Sequence, residues 1–529
     1  MLPTTHKTLV TLCAAAVTIG PLCAQDTHYT RYYPAVANAG QLTPGPDDSF
    51  YGVTVNGNLD MLYFYKVNEA GDMLWVNEAQ TVLPTLPTCL AALSDASFAF
   101  LAVQFGTDAK VLFKVSDAGE VLWTRTLGDG SAASFSGLAP TTDGGLMLTG
   151  SGCQGAQMIL HISASGHLLS QNGHASWGSQ YYRPNAIGMV HEGNNQYAYT
   201  GYSHDAVNEY MPLTFFRSDS AGHVTSYREI HDPTGSSHTW PVSEDCIVRS
   251  PSGGHYIAAG VQDDAGVSHH IVLFYLNEQD DLMWFKKIET TDILLNISGL
   301  SSTADGGCAL IGSNTISYAP YQYVGFALKF NDNGELLWSK GVGDSSDPAW
   351  DNVYLSSVVP ASAGHFMTAP VSSGFDLCRV DAQFDGFCHS MPFDPVITDV
   401  IPTVIPYTVS PTQIHFAEGD ITITPAPFAY TRATICSFTG VDEAGRDAFL
   451  SLAPNPASDH FRVDVIVDRP QRVEVCVMNT LGAECYRQQV DAQPDRPLVI
   501  PANALPNGAY VVEVRGPLTR QRARLVVQH

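Results

Sequence analysis

The sequence predicts an all-β chain: a seven-bladed β-propeller followed by a small antiparallel, Ig-like β-sandwich. Three observations predict it. A hairpin signature can be set in one register at residues 71–75, 119–123, 166–170, 222–226, 280–284, 334–338 and 384–388, with successive starts 48, 47, 56, 58, 54 and 50 residues apart. A second kind of turn precedes a strand-like run in each interval, as at Thr142-Asp143-Gly144-Gly145 and Ala304-Asp305-Gly306-Gly307. From residue 448 onward the chain changes character and apolar/polar alternation takes over.

The clearest copy of the hairpin joins Phe326-Ala327-Leu328-Lys329-Phe330 to Leu336-Leu337-Trp338 through Asn331-Asp332-Asn333-Gly334. Asn, Asp and Gly tolerate the positive φ that such turns need, so a cluster of them between β-prone runs marks a hairpin. Each unit then supplies about four short strands in roughly 50 residues, the size of a propeller blade. The Trp at the end of the signature, or its substitute, is expected to pack between units rather than to react. Residues 25–393 are assigned to these repeats. Residues 394–440, rich in Pro, Thr and Ile, alternate over Asp420-Ile421-Thr422-Ile423-Thr424 like an edge strand and are expected to close or cap them. Residues 441–447 read as a linker.

In the tail, Phe461, Val463, Val465 and Val467 alternate with polar residues, as do Val473, Val475 and Val477. Tyr510, Val512 and Val514 follow suit, then Ala523, Leu525 and Val527. Period two means strands with one buried face.

Residues 1–24 read as a secretory signal peptide, with Lys7 near the start, an apolar run from Leu9 to Ile19, and Ala24 where cleavage would fall. Gly20-Pro21-Leu22 before Cys23 is a poor lipobox, which argues against lipidation. No later segment has the ~18 uninterrupted apolar residues of a membrane helix, so no transmembrane segment is expected in the mature chain. The net charge of -26 argues against nucleic-acid binding, which usually needs a basic patch.

Of 11 cysteines, Cys13 and Cys23 fall within the signal. The rest show no C-x-x-C pair and no zinc-type spacing with histidine, so neither a metal nor another cofactor is expected. Export permits disulfides. Cys388 and Cys436 bracket the last unit and the segment after it and are candidates to pair, with Cys378 as an alternative partner for either.

The tail carries four motifs in order: Leu450-Ser451-Leu452-Ala453-Pro454-Asn455-Pro456-Ala457, Asn479-Thr480-Leu481-Gly482, Leu505-Pro506-Asn507-Gly508-Ala509-Tyr510, and a final basic strand over residues 522–527. Together they resemble the C-terminal sorting domain of the type IX secretion system, which belongs to Bacteroidetes-type bacteria. Pro454, Asn455, Pro456, Gly482, Gly508 and Tyr510 carry the likeness, while Ala483-Glu484 stands where the family commonly has Arg or Lys. The resemblance implies passage through the periplasm and across the outer membrane, contact with the type IX machinery, and an extracellular or surface-attached body. It places the sorting domain at residues 448–529.

Candidate chemistry in the body is sparse. Ser116-Asp117-Ala118-Gly119 before Trp123 has the wrong spacing for a sialidase Asp-box, and arginines to hold a substrate carboxylate are few. Turn stabilisation accounts better for these aspartates. The pair His269-His270, if on a strand, points to opposite faces and does not easily share a metal. No G-x-S-x-G, H-E-x-x-H or phosphate-binding loop occurs. The variable connections are expected on one face, with aromatics at Trp177, Trp240, Trp350, Tyr318, Tyr321 and Tyr323. Rings beside polar groups suit glycan or protein contact, though the same tryptophans could simply pack around a central channel. Three functions follow as expectations: a non-enzymatic binding module for a glycan or protein, a hydrolase of polysaccharide or peptide, or a structural surface component.

Overall fold

The computed structural model describes residues 26–528 apart from connecting stretches, chief among them 177–181, 206–211, 232–237, 241–246, 263–268, 344–354, 384–389 and 440–450. The expected signal peptide lies outside the described residues. The chain divides into two compact units, Met1–Phe438 and Thr439–His529. Among the described residues every regular element is a strand.

The first unit is built from small antiparallel sheets. A typical one takes Thr85–Ala92, Phe98–Gln104, Lys110–Val115 and Val121–Gly128 in sequence order. Its middle strands are buried along almost their whole length, whereas Val121–Gly128 buries only Thr124 and Leu127. A four-strand set of this kind recurs along the chain. Two successive sets are joined into one eleven-stranded sheet through a single parallel bridge, His269 to Leu294.

Turn chemistry explains why the sequence register is so regular. In each tight turn the first N–H donates to the fifth carbonyl and the fourth N–H to the first carbonyl. Asn331 to Glu335 (3.0 Å) with Gly334 to Asn331 (3.1 Å) is one example, and Thr141 to Gly145 (3.0 Å) with Gly144 to Thr141 (3.2 Å) another. The fourth residue must turn left-handed. Gly334 does so at φ 76° and Gly144 at 82°, and where glycine is missing Asp280 and Ala96 both sit at 63°. The leading side chain finishes the turn, as when Asn331 Oδ1 accepts from the Glu335 N–H at 2.9 Å.

Packing between successive sets forms the core. Phe64 and Tyr51 of one set meet Phe100 and Phe113 of the next, with Phe100 and Phe113 stacked at 4.3 Å. Similar clusters join each later pair. Another cluster brings Val359 and Leu377, near the end of the repeats, against Leu42, Phe50 and Tyr65 at their start. The Leu42 N–H donates to Ser357 Oγ (3.2 Å), and Thr368 Oγ1 to the Gly40 carbonyl (3.0 Å).

Two long-range pairings have no signature in the sequence. Asp26–Pro34 joins the set of Ser357–Ala361, Gly364–Val371 and Gly374–Val380, pairing antiparallel with the last of these. The hairpin register expected at 384–388 lies outside the described residues. The segment expected to close or cap the repeats, together with Ser390–Met391 just before it, runs back along them in reverse order and adds an outer strand to each set. Ser390–Met391 pairs with Leu336–Val342, and Val396–Asp399 with Leu282–Glu289. Thr403–Pro406 pairs with Val224–His231, and Val409–Thr412 with Leu168–Ser176. Ala417–Asp420 pairs with Val121–Gly128, Ala426–Pro427 with Met73–Gln80, and Ala433–Thr439 flanks Asp26–Pro34. Of the described residues in the alternation over 420–424, only Asp420 belongs to the pairing strand, and partly buried Ile421 and Ile423 pack on a core cluster.

The second unit has two antiparallel sheets around one core. Ser451–Ala453, His460–Asp464 and Leu498–Pro501 form one; Glu484–Ala492, Gln471–Asn479, Gly508–Arg515 and Arg520–Val527 form the other. The alternating residues Phe461, Val463, Val473, Val475, Val477, Val512, Val514, Leu525 and Val527 fill the space between.

Candidate functional site

The seam between successive sets is the most regular feature of the first unit. Trp75 Nε1 donates to the Asp117 carbonyl (2.9 Å), Trp123 Nε1 to that of Ala164 (3.0 Å), and Trp284 Nε1 to that of Asp332 (2.8 Å). Each acceptor lies in the hairpin turn of the following set, and the turn glycine packs on the ring. A Cβ at Gly119, Gly166 or Gly334 would come within 3.0 Å of its tryptophan or closer. These tryptophans are packing and hydrogen-bonding elements of the seam.

A second ladder runs beside them. Lys66, Lys114, His161, Arg217 and Lys329 occupy the same place on the third strand of their sets, opposite Trp75, Trp123, Ser170, Ser226 and Trp338. Lys114 pairs with Asp95 (2.8 Å), Lys329 with Asp305 (2.7 Å), Lys66 with Asp117, and His161 lies 3.5 Å from Asp143. On another third strand, Arg379 reaches Glu69 (2.7 Å) at the start of the repeats. Burial pushes the carboxyls of Asp95 and Asp305 up, but hydrogen bonds from the lysines and from Ser97 and Thr303 win and leave both below the usual aspartate range. A paired, ionised carboxylate cannot act as a general acid at neutral pH. Sequence reasoning took these aspartates as turn residues but did not see the ion pairs, because the partners lie 19 to 51 residues apart.

The densest charge cluster was not legible either. Arg217 holds Asp280 through Nε (3.0 Å) and Nη2 (2.6 Å) and also contacts Glu192. His255, fully buried, places Nε2 2.5 Å from Glu192 Oε1. Burial pushes Glu192 up, and the His255 hydrogen bond with the charges of Arg217 and Arg249 pulls it lower still than the ordinary value. The one available signal was Asp280, which stands where the register calls for glycine.

The expected aromatic face is described in part. Cys308–Tyr318 and Tyr321–Phe330 form a long hairpin, in register from Cys308–Phe330 to Tyr318–Tyr321 with a bulge between Thr315 and Ser317. The corresponding strands Leu146–Ser151 and Gln157–Ile162 have six residues each. Tyr323 is half-buried opposite Thr315, and burial raises its hydroxyl pKa. The backbones of Tyr318 and Tyr321 lie at the hairpin tip and that of Trp240 on His238–Trp240, paired with Gly260, while their side chains lie outside the described residues. Trp177, Trp350 and Cys388 lie wholly outside them, as does the side chain of Cys436. Cys378 is buried on Gly374–Val380. His269 and His270 fall on the strand His269–Leu276. Among the described residues no group of three or more His, Cys, Asp or Glu side chains is arranged to hold a metal ion, and no helix is long and apolar enough to cross a membrane.

In the second unit the motif residues cluster at the last strand. Asn455 Oδ1 accepts from the Val526 N–H (2.8 Å), and Ala457 exchanges backbone hydrogen bonds with Val526 and Gln528, both 2.8 Å. Pro454, Asn455 and Pro456 are exposed, with a cis bond between Asn455 and Pro456. Gly508 opens its strand, and the buried Tyr510 donates its hydroxyl to the Pro506 carbonyl (2.7 Å). Gly482 lies outside the described residues.

No curated protein matches the chain. Among solved structures it is similar to extracellular domains 1–2 of Drosophila semaphorin 1a, at 6% identity and a TM-score of 0.40 over 66% of this chain and 87% of that one. Chaetomium thermophilum Raptor follows at 9% and 0.41, over 66% of this chain and 29% of that one. A glycosyl hydrolase from Bacteroides ovatus gives 9% and 0.25, over 68% and 97%. The tail is a different matter, because residues 451–528 match the family model of the secretion system C-terminal sorting domain. The motifs and the match together identify residues 451–528 as a type IX sorting domain, a signal for secretion to the cell surface or the extracellular space.

Proposed function

We propose that the first unit is a closed seven-bladed β-propeller that acts outside the cell as a binding module for a glycan or protein ligand. In this reading residues 1–24 are a cleaved signal peptide, 25–393 the blades, 394–440 their outer girdle, 441–447 a linker, and 448–529 an Ig-like sorting domain. The apolar clusters between successive four-strand sets support closure, as do the contacts of Leu42 with Ser357 and Arg379 with Glu69.

The observation that carries the binding reading is the long hairpin 308–330, with Tyr318, Tyr321 and Tyr323 at or near its tip. Tyrosine presents a large ring with a polar end and few rotatable bonds, which suits contact with sugars and with protein. The test is a glycan array and polysaccharide pull-down with the full chain, with product analysis of the same mixtures. Retention without cleavage, weakened at least about fivefold by Tyr321→Ala or Tyr323→Ala, is expected of a ring worth about 1 kcal/mol. Cleavage products would replace this reading with a hydrolase. Retention that both substitutions leave intact would remove the hairpin from the site.

A further inference from the structure

One set departs from the seam pattern. Where four others carry Trp75, Trp123, Trp284 and Trp338, the strand Val224–His231 carries Ser226. The strand Leu168–Ser176 also has serine in this place, but Ser170 Oγ donates to the Ala221 carbonyl (3.2 Å) and Asn172 shares that acceptor. Ser226 differs: its hydroxyl is buried and has no hydrogen-bond partner among the described residues. Beside it lies a groove of about 580 Å³, lined by Ser226, Tyr227, Arg228, Asp281, Leu282 and Val404, with Pro406 at its edge. Its walls come from the outer strand of one set, the hairpin after the next third strand, and the girdle strand Thr403–Pro406.

The volume is in the range of small-ligand sites. The lining says what kind of ligand. Leu282, Val404 and Pro406 offer an apolar wall. The Tyr227 ring packs the other way, stacked on Phe216 at 5.6 Å, so it leaves that wall aliphatic. Two charged side chains, Arg228 and Asp281, line the same space. Ser226 brings room where four other sets hold an indole, its own hydroxyl being buried. Arg228 spends two of its five donors on the carbonyls of Asp280 (2.7 Å) and Gln279 (3.4 Å). Asp281 is exposed, and among the described residues its carboxylate has only a 3.4 Å contact with Asn277 Nδ2. One cation beside one anion favours neither a charged anion nor a charged cation. It suits a neutral molecule with adjacent hydroxyls, which can donate to the carboxylate and accept from the guanidinium, and with a C–H face for the aliphatic wall.

We propose that this groove is a carbohydrate subsite that takes a single neutral pyranose ring. It concerns a different part of the fold from the tyrosine hairpin and stands independently of it. Without an aromatic platform, affinity near the millimolar range is expected, about 4 kcal/mol of binding.

Saturation-transfer NMR on the full chain tests it, with the methyl glycosides of glucose, galactose, mannose and N-acetylglucosamine as probes. At least one glycoside is expected to bind, and Asp281→Ala to weaken it about fivefold or more with the melting temperature unchanged, because Asp281 is exposed. Ser226→Trp, which fills the groove as the sister sets fill theirs, is expected to weaken it as much, while Tyr323→Ala leaves it intact. No transfer from any of the four at about 20 mM overturns the proposal. So does binding that persists in both groove variants; if that binding is lost in Tyr323→Ala, the tyrosine hairpin gains a sugar ligand and the groove has none.

Discussion

Trp284 Nε1 donates to the backbone carbonyl of Asp332 at 2.8 Å, 48 residues further along the chain. The bond ties one four-strand set to the turn of the next. The following glycine, Gly334, packs so closely on the ring that a Cβ would lie 2.7 Å from it, at a φ of 76° that already disfavours a side chain. Ring, carbonyl and glycine therefore act as one joint.

Trp284→Phe keeps most of the ring and removes the donor, so a loss of about 1 kcal/mol is expected. Gly334→Ala adds both a left-handed strain and a steric contact, and should cost more, about 1–3 kcal/mol. Chemical denaturation of the full chain measures both. An unchanged midpoint for Gly334→Ala would mean that the joint carries little of the stability.

Asp280 shows the same joint rebuilt. It replaces the turn glycine, accepts a positive φ of 63°, and uses its carboxylate to hold Arg217. Asp280→Gly relieves the backbone but leaves a largely buried guanidinium with Glu192 as its remaining carboxylate partner. Net destabilisation of about 2–4 kcal/mol is expected, because losing one member of a buried pair outweighs the turn gain. A higher melting temperature for Asp280→Gly would show that the ion pair contributes nothing beyond the turn.

His365 gives the body a pH dependence. It is buried on Gly364–Val371, and burial first, then the nearby Lys329 charge, lowers its pKa from 6.5 to about 4. The unfolded chain therefore binds a proton that the folded chain refuses between those two values. Stability is full above the unfolded pKa of 6.5 and falls as pH drops towards 4, by an amount on the order of 3 kcal/mol. Asp305, held below its ordinary value, adds a loss in the same direction at lower pH. Melting curves from pH 7 to 4 should show the decline, and His365→Gln should flatten it. An equal slope in that variant would assign the dependence to other groups.

In the sorting domain Asn455 anchors the final strand through Val526, and Tyr510 ties the motif loop through Pro506. Removing residues 448–529 should keep the protein inside the outer membrane of its host. Asn455→Ala should do so in part, because it removes one of the bonds that hold the edge of Arg520–Val527. Cell fractionation with antibody to the body reads both, and normal secretion of the truncated chain would refute a sorting role for the tail.

What the sequence made legible was local. Turn residues such as Asn331 and Gly334 act within five positions, so their recurrence set the register and the four-strand sets, and the alternation of Val473, Val475 and Val477 set the tail sheets. What it hid was long-range. The strand Asp26–Pro34 has no turn or tryptophan to mark its place beside Gly374–Val380, some 345 residues away. Arg217 and Asp280 lie 63 residues apart, and only the missing glycine hinted at their pairing. The groove at Ser226 needed three distant segments to meet, and one of them is the reversed outer segment.

That outer segment supplies the last prediction. Pairings such as Ile288 with Ile397, Ile230 with Val404 and Leu127 with Glu418 give each outer strand a neighbour. An unpaired strand edge is a template for other chains, and proteins cover such edges to avoid aggregation. Deleting residues 394–440 while keeping the tail exposes Leu282–Glu289, Val224–His231 and Val121–Gly128 together. High-molecular-weight species on size-exclusion chromatography are expected, growing with concentration. Ile397→Asp offers a milder version, since Ile397 packs on the cluster of Ile288 and Phe393 and its loss should free only one edge. A deletion variant that elutes as the intact chain does, with the same melting temperature, would mean that the outer segment neither protects the edges nor stabilises the sets.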